Sequence, residues 1–453
     1  QNPFHAYAHQ SHTGHLDWRR TTMKWVGGNE VMVQNIGFVS TRFAGLDGVS
    51  LEAGKWADVL ERGGDSCFWF AGELDKDPEK SYLAYEAHFK HPYNVWINRQ
   101  VFGKTDKTAS VTESIENLRR ILKARLQDFI AYFHIDLLIV ENALAIPLNI
   151  PLGLALAELI SETQIPTIAH HHDFYWERDR FMVNAVQDYL NMAFPPVLPS
   201  IHHVVINSVA DDQLSLRTGI SGHVIHNVMD FDNPPPPPDE YTLDVRKALG
   251  IQPDELFILQ PTRVVQRKGI EHAIELVHRL GRKAKLVISH ASGDEGWDYE
   301  QRLKEYSKLM KVNTVFVDDI INEERGTTGD GRKIYTLEDI YPYADLVTYP
   351  STFEGFGNAF LETIYFRKPI VVNAYSIYTK DIKPKGFSVI EIDGYVTSQA
   401  VEKAKQILDN PDLCQAMVDH NYELGKKFFS YAVLHQGLRN FMREKGWLPG
   451  EVA

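Results

Sequence analysis

From Gln34 onward, short apolar runs recur along the chain, each followed by a polar loop and a stretch of helical periodicity. Asn35–Ser40, Ser66–Ala71, Asp136–Val140, Thr167–Ala169 and His203–Ile206 read as brief buried strands. Leu51–Arg62, Val111–Phe133 and Arg180–Ala193 read as helices between them. After a break the pattern restarts, with strands expected at Leu256–Gln260, Lys285–Ser289, Thr314–Val317, Leu346–Tyr349, Ile370–Asn373 and Ser388–Ile392. Strands alternating with helices at this spacing predict βαβ units and parallel sheets covered on both faces. The expected fold class is therefore α/β, with two Rossmann-like, doubly wound parallel-sheet domains in tandem. Ligands of such sheets bind beyond the carboxyl ends of the strands, which here points to the cleft between the domains.

The break is Asn233-Pro-Pro-Pro-Pro-Pro-Asp239. Proline fixes φ and removes the N–H donor, so this stretch must be extended, and it reads as a stiff linker. It divides an arm (1–33) and an N-terminal domain (34–232) from a second domain starting at residue 240. The most apolar stretch, Leu137–Ile160, is interrupted by Glu141, Asn142, Asn149, Glu158, Pro147 and Pro151. It fits a buried strand–loop–helix better than a membrane span. Gly326–Lys333 (GTTGDGRK) lacks the order of a phosphate-binding P-loop and reads as a hairpin or insertion.

Composition narrows the function. The 453 residues carry 47 basic and 60 acidic side chains, a formal charge of −13, which argues against nucleic acid as partner. A few local cations would still bind a small anion. Only Cys67 and Cys414 occur, which favours a reducing, cytoplasmic setting over a disulfide framework. The N-terminal His5, His9, His12 and His15 lack the carboxylates or cysteines that would complete a metal set.

Three stretches carry chemistry. In Pro350–Glu362 (PSTFEGFGNAFLE) an apolar strand turns into a helix. Gly355 and Gly357 let the backbone approach a ligand, and the new helix offers free N–H groups. Glu354 and Glu362, with seven residues between them, suit sugar hydroxyls. The spacing equally accommodates Glu354 as a helix cap and Glu362, near the helix start, as a solvated charge. In Ile258–Ile274, Arg263 and Lys268 flank a loop closed by Gly269 ahead of a helix, an arrangement matched to a diphosphate. Third, His170-His171-His172-Asp173 ends an apolar strand. Alternate strand side chains point to opposite faces, so the three histidines cannot share one metal. One of them facing the cleft as a hydrogen-bonding or acid–base group is the better reading.

These motifs together resemble the retaining glycosyltransferase family 4, of two-Rossmann GT-B fold, which contains sucrose-phosphate synthases, trehalose synthases and many bacterial hexosyl- and mannosyltransferases. Ser351-Thr-Phe-Glu354-Gly-Phe356-Gly357 with Glu362 resembles its paired-glutamate signature. Arg263-Val-Val-Gln-Arg-Lys268-Gly269 resembles its phosphate loop, Pro166–Asp173 its strand ending in a donor-site histidine, and His226–Asp230 its hinge. The hinge departs from the family at His226 and Val228, where proline and glycine are usual. Asp47–Glu52 looks most like the compatible-solute synthases of that family, with mannosylglucosylglycerate synthases ahead of sucrose-phosphate and trehalose synthases.

The resemblance implies facing domains, with the acceptor held by the first and the nucleotide-sugar by the second (240–427). It also implies a final helix within 428–453, Phe428–Lys445, crossing back to the first domain. Arg263 and Lys268 would hold the donor diphosphate, and Glu362 the ribose. Glu354 with the backbone of Gly355, Phe356 and Gly357 would hold the transferred sugar, beside His172. Gly48 would lie near the phosphates. The donor would be GDP-mannose or UDP-glucose, with no tightly bound cofactor and no divalent metal needed for chemistry. The acceptor would be small, soluble and anionic, of sugar or glycerate type, and Trp176, Arg178 and Arg180 lie where it would bind. A homodimer is left open. Two other readings remain: a nucleotide-sugar epimerase of the same fold, and a non-catalytic sugar-binding protein.

Overall fold

The computed structural model describes residues 22–26, 29–45, 47–290, 297–317, 319–322 and 324–447. The histidines at 5, 9, 12 and 15 lie outside them. The arm assigned to 1–33 contains an antiparallel hairpin, Thr22–Val26 with Asn29–Val33.

The first domain is built on seven parallel strands: β1 (Asn35–Val39), β2 (Ser66–Ala71), β3 (Ser81–Leu83), β4 (Leu137–Glu141), β5 (Thr167–His171), β6 (Ile201–Val205) and β7 (His223–Val224). Their order is β3-β2-β1-β4-β5-β6-β7. The second has β8 (Leu256–Gln260), β9 (Ala284–Ile288), β10 (Asn313–Phe316), β11 (Leu346–Tyr349), β12 (Ile370–Asn373) and β13 (Ile390–Ile392), in the order β10-β9-β8-β11-β12-β13. In each domain the order reverses beside its first strand, β1 or β8, which is where a doubly wound sheet opens a crevice at its strand ends.

Strand alternation explains the layering. On β1 and β4, Ile36, Phe38, Leu137 and Ile139 face one core, while Val39, Leu138 and Val140 face another. The second core is covered by the helix α3 (Ala109–Phe133), through Leu118, Leu122, Leu126 and Phe129. The first is covered by α1 (Gly48–Arg62), through Trp56 and Leu60, and by the last helix, α12 (Tyr431–Glu444), through Leu434, Leu438, Phe441 and Met442. Residues more than 370 positions after β1 thus complete the core of the first domain.

Three elements differ from the sequence reading. Arg180–Ala193 is not one helix: a 3₁₀ turn at Asp179–Phe181 precedes a short helix at Gln187–Ala193. Phe428–Lys445 is broken at Ser430, whose side chain caps α12 by accepting from Val433 N at 3.3 Å; the preceding helix, α11, is Pro411–Phe429. Glu362 lies in the second turn of its helix rather than near its start. The break at Ser430 is also where the chain passes between domains for the second time. Met229 N donates to Phe429 O at 2.9 Å, so the outgoing and returning segments are hydrogen-bonded side by side. The prolines 234–238 follow as an extended, mostly exposed stretch. Asp230 and Asp232 serve this hinge region, Asp230 accepting from Arg62 at 3.2 Å and Asp232 lying 3.4 Å from Lys426.

The returning helix is pinned by an ion pair between Arg439 and Asp65 at 2.8 Å, with the Asp65 side chain wholly buried. Burial raises the Asp65 pKa, and Arg439 only partly opposes it. Arg439→Ala should cost about 3–5 kcal/mol by leaving a buried charge unpaired. Losing Arg439 removes a charge that holds the Asp65 pKa down, so that pKa rises further and the deficit should narrow as pH falls from the variant's pKa toward the wild type's. Urea denaturation at pH 8 and pH 5 measures both effects; an equal deficit at the two pH values would contradict this role for Asp65.

Candidate active site

β8 runs out at Gln260, and a 3₁₀ turn at Gln266–Lys268 leads through Gly269 into α7 (Ile270–Leu280). Gly269 has φ +59°, and a Cβ there would lie 2.5 Å from Pro350 O, so the turn needs glycine. The loop after β11 is stitched to this turn. Thr352 donates to Arg267 O through both its N (2.8 Å) and its Oγ1 (3.1 Å), and Arg267 donates to Phe353 O at 3.1 Å.

This packing buries Lys268 and Glu354 and pairs them directly, with Arg267 3.3 Å from the other carboxylate oxygen. Burial alone would raise the Glu354 carboxyl, but Lys268 and Arg267 outweigh it and hold it below its usual range. Burial in turn lowers the Lys268 ammonium, with Glu354 opposing. Arg263 is exposed at the same strand end and forms no ion pair among the described residues. Burial, then the charges of Arg263 and Lys268, push His290 down to about 4.

Glu354 is therefore an ion-pair partner and not the helix cap. That position is Gly357, at φ +130°, where a Cβ would lie 2.4 Å from Tyr375 Oη; the helix α9 (Asn358–Tyr365) follows. Glu362 on α9 accepts from Tyr341 Oη at 3.1 Å. Burial raises its pKa, opposed first by the charge of Lys55 on α1 in the other domain. Phe356 is 2% exposed and stacks on the hinge residue His226 at 5.2 Å, so its side chain belongs to the hinge, and its carbonyl accepts from Tyr375 Oη at 2.8 Å.

The two domains meet at this turn. Asn207 Nδ2 donates to Gly355 O at 2.6 Å, and Asn227 Nδ2 to Asn358 Oδ1 at 2.8 Å. A Cβ on Gly355 would lie 3.6 Å from the carbonyl oxygen of His172. The histidine run and the paired-glutamate turn, read separately in the sequence, thus face each other. Gly48 opens α1 behind the N-cap Asp47, and a Cβ there would meet nothing within 4 Å. Arg178 is taken up by Asp173, with Nε 2.6 Å from Oδ2, so it is not a free cation for an acceptor.

The histidines divide as strand alternation requires. His171 points away, and its Nε2 pairs with His203 Nδ1 at 2.9 Å. His170 Nδ1 and His172 Nε2 both reach Glu141 Oε2, at 2.9 and 3.0 Å. Glu141, Arg267, Lys55 and His290 were missed in the sequence. Arg267 sat inside a recognised motif, while Glu141 ends an apolar strand 29 positions before its partner and gave no local signal. Glu141, His170 and His172 bring ligand-type atoms within 4.8 Å of one another. His170 Nε2, however, is buried without a partner. A histidine ligating through Nδ1 carries its proton on Nε2, where here it would find no acceptor.

Two parallel-sheet domains joined at a hinge, with clustered cations at one strand end, form the GT-B architecture. Residues 243–424 match the family described as glycosyl transferases group 1. The chain is 33% identical over 425 residues to a mannosylglucosylglycerate synthase of Thermotoga maritima, covering 85% of this chain and 94% of the relative. It is 32% identical over 439 residues to the protein of that name from Petrotoga mobilis, covering 87% and 98%. It therefore belongs to the glycosyltransferase family of these synthases. The fold is shared with sucrose-phosphate synthase from Thermosynechococcus elongatus, at TM-score 0.60, 14% identity and coverage of 91% and 99%.

Glu354→Gln should leave the Lys268 ammonium buried beside Arg267 with no counter-charge and cost about 3–5 kcal/mol. The double variant Lys268→Met/Glu354→Gln should recover most of that loss, as measured by thermal or chemical denaturation. Additive losses in the double variant would contradict a direct pair.

Proposed function

We propose that this glycosyltransferase moves a mannosyl group from a nucleotide diphosphate-sugar to a glucosylglycerate acceptor, with retention at the anomeric carbon. One observation carries the reading: Arg263, Arg267 and Lys268 cluster at the end of β8 beside the turn 354–357, across the cleft from His172. Breaking the sugar–phosphate bond leaves negative charge on the diphosphate, and fixed cations stabilise what develops there. In this reading Arg263 and Lys268 hold the diphosphate, so leaving-group charge is met without a divalent metal. The diphosphate then takes over from Glu354 as counter-charge to Lys268, which frees the Glu354 carboxylate for hydroxyls of the transferred sugar. Gly355 and Gly357 admit that sugar to the backbone, Glu362 holds the ribose, and Gly48 leaves room at the start of α1. The acceptor attacks from the face the phosphate leaves, and a phosphate oxygen takes its proton.

The acceptor assignment rests on the names of the two long-range relatives. A sucrose-phosphate synthase-like transfer from UDP-glucose to a sugar phosphate is the second reading, favoured by the shared fold alone.

A thermal-shift panel of GDP-, UDP- and ADP-sugars should single out one donor, about 2.7 kcal/mol of stabilisation being expected at a hundred times Kd. Mass spectrometry with that donor and glucosylglycerate, its phosphorylated form or a hexose phosphate should find product with the first. Product only with the hexose phosphate would select the second reading. Lys268→Ala should lower turnover at saturating donor by at least about a hundredfold, with EDTA leaving the wild type unaffected. Near-normal turnover in that variant would sink the clamp assignment.

A further inference from the structure

Glu141 is fully buried at the carboxyl end of β4, and its Oε2 meets two imidazoles at once. One carboxylate balances one positive charge, and two imidazoliums with ring centroids 4.6 Å apart would repel. The surroundings decide which ring takes the proton. His170 has 1% of its side chain exposed, stacks on Trp56 at 4.1 Å, and has Nε2 buried and unpaired. The neutral Nδ1–H tautomer satisfies it, donating to Glu141 and leaving only a lone pair in the apolar contact. His172 keeps 10% of its side chain exposed, and its remaining ring nitrogen, Nδ1, is not among the buried unpaired atoms. Its backbone N is fixed by Asn142 Oδ1 at 2.8 Å, and Asn142 also donates to Asp173 at 3.0 Å.

We infer that Glu141 is a positioning residue of the transfer site: it holds His172 as an imidazolium, with Nε2–H on the carboxylate and Nδ1–H left as a donor toward a hydroxyl of the bound sugars. This rests on the transferase reading above. A neutral His172 would still donate Nε2–H to Glu141, but its Nδ1 would then be an acceptor. The charge on Glu141 thus decides whether Nδ1 gives or receives a hydrogen bond. Because the pair is neutral overall, it supplies a strong donor without adding net positive charge to a cleft in which the anomeric carbon becomes cationic.

The charged and titratable groups coupled to the His172 ring are Glu141 on β4, Glu52 on α1, and Asp173, His170 and His171 on its own segment. Burial lowers its pKa, but Glu141 above all, then Glu52 and Asp173, raise it beyond the usual value. His170 goes the other way, lowered by burial. Burial would raise Glu141, yet the two imidazoles hold it at about 2, so it stays ionised across the working range.

The test is an NMR titration of protein carrying ¹⁵N-histidine, with His172 assigned from His172→Gln. In the wild type its midpoint should lie above about 6.5, the unperturbed value. In Glu141→Gln, which keeps an acceptor but drops the charge, it should fall by at least about one unit. The alkaline limb of kcat/KM should move down by the same amount, so that at pH values above both midpoints activity drops about tenfold per unit. A wild-type midpoint at or below 6.5, or superposable pH profiles for the two proteins, would overturn the proposal. Should Glu141→Gln not fold, the wild-type titration decides by itself. A raised midpoint in a protein that turns over no nucleotide-sugar would uphold the charged pair and count against the transferase reading instead.

Discussion

An ammonium group taken out of water needs a counter-charge, and Lys268 is buried at the end of β8. Much of the second domain's local geometry follows from meeting that need. Gly269 lets the turn press against Pro350, Thr352 ties the two loops together, and Glu354 arrives as the partner. Arg267 and Arg263 then concentrate positive charge at one strand end of a chain whose total is −13. On our reading the donor's diphosphate replaces Glu354 as the counter-charge, so binding the leaving group releases the carboxylate that the transferred sugar needs. Charge neutralisation and sugar recognition become one event.

The first domain supplies the opposite wall by different means. Its sheet is buried on both faces, and one of these is closed by α1 together with α12, which belongs to the far end of the chain. The chain crosses between domains twice, at Met229 and at Phe429–Ser430, and the two crossings are hydrogen-bonded to each other. His226 stacks on Phe356 from the paired-glutamate turn, so the hinge touches the site it serves. That contact gives a physical sense to the departure from the usual hinge pattern, since a proline would offer no flat ring there.

Much of this was legible in the sequence. Apolar runs of four to six residues locate nearly all of the long strands, because a parallel strand covered on both faces must be apolar throughout. Short edge strands such as Ser81–Leu83 and His223–Val224 escaped, being too brief and too polar to stand out. Arg180–Ala193 looked helical in composition, but only Gln187–Ala193 forms a helix, Asp179–Phe181 being a separate turn. In the candidate site, residues lying within local motifs could be singled out as candidates: Arg263 and Lys268 in one, Glu354 and Glu362 in another. Partners supplied by another strand or the other domain were not. Glu141 looks like the polar end of an apolar run, and Lys55, whose Nζ binds Val228 O at 2.7 Å, looks like a solvated helix charge. Their roles exist only once β4 lies beside β5 and α1 beside the hinge.

The central claim is retaining transfer in the cleft between the two domains. NMR of the product formed from an α-linked nucleotide-sugar and its acceptor tests it most directly. The expected result is a new glycosidic bond whose anomeric carbon keeps the α configuration. A β-linked product, or an isomerised donor without transfer, would contradict it.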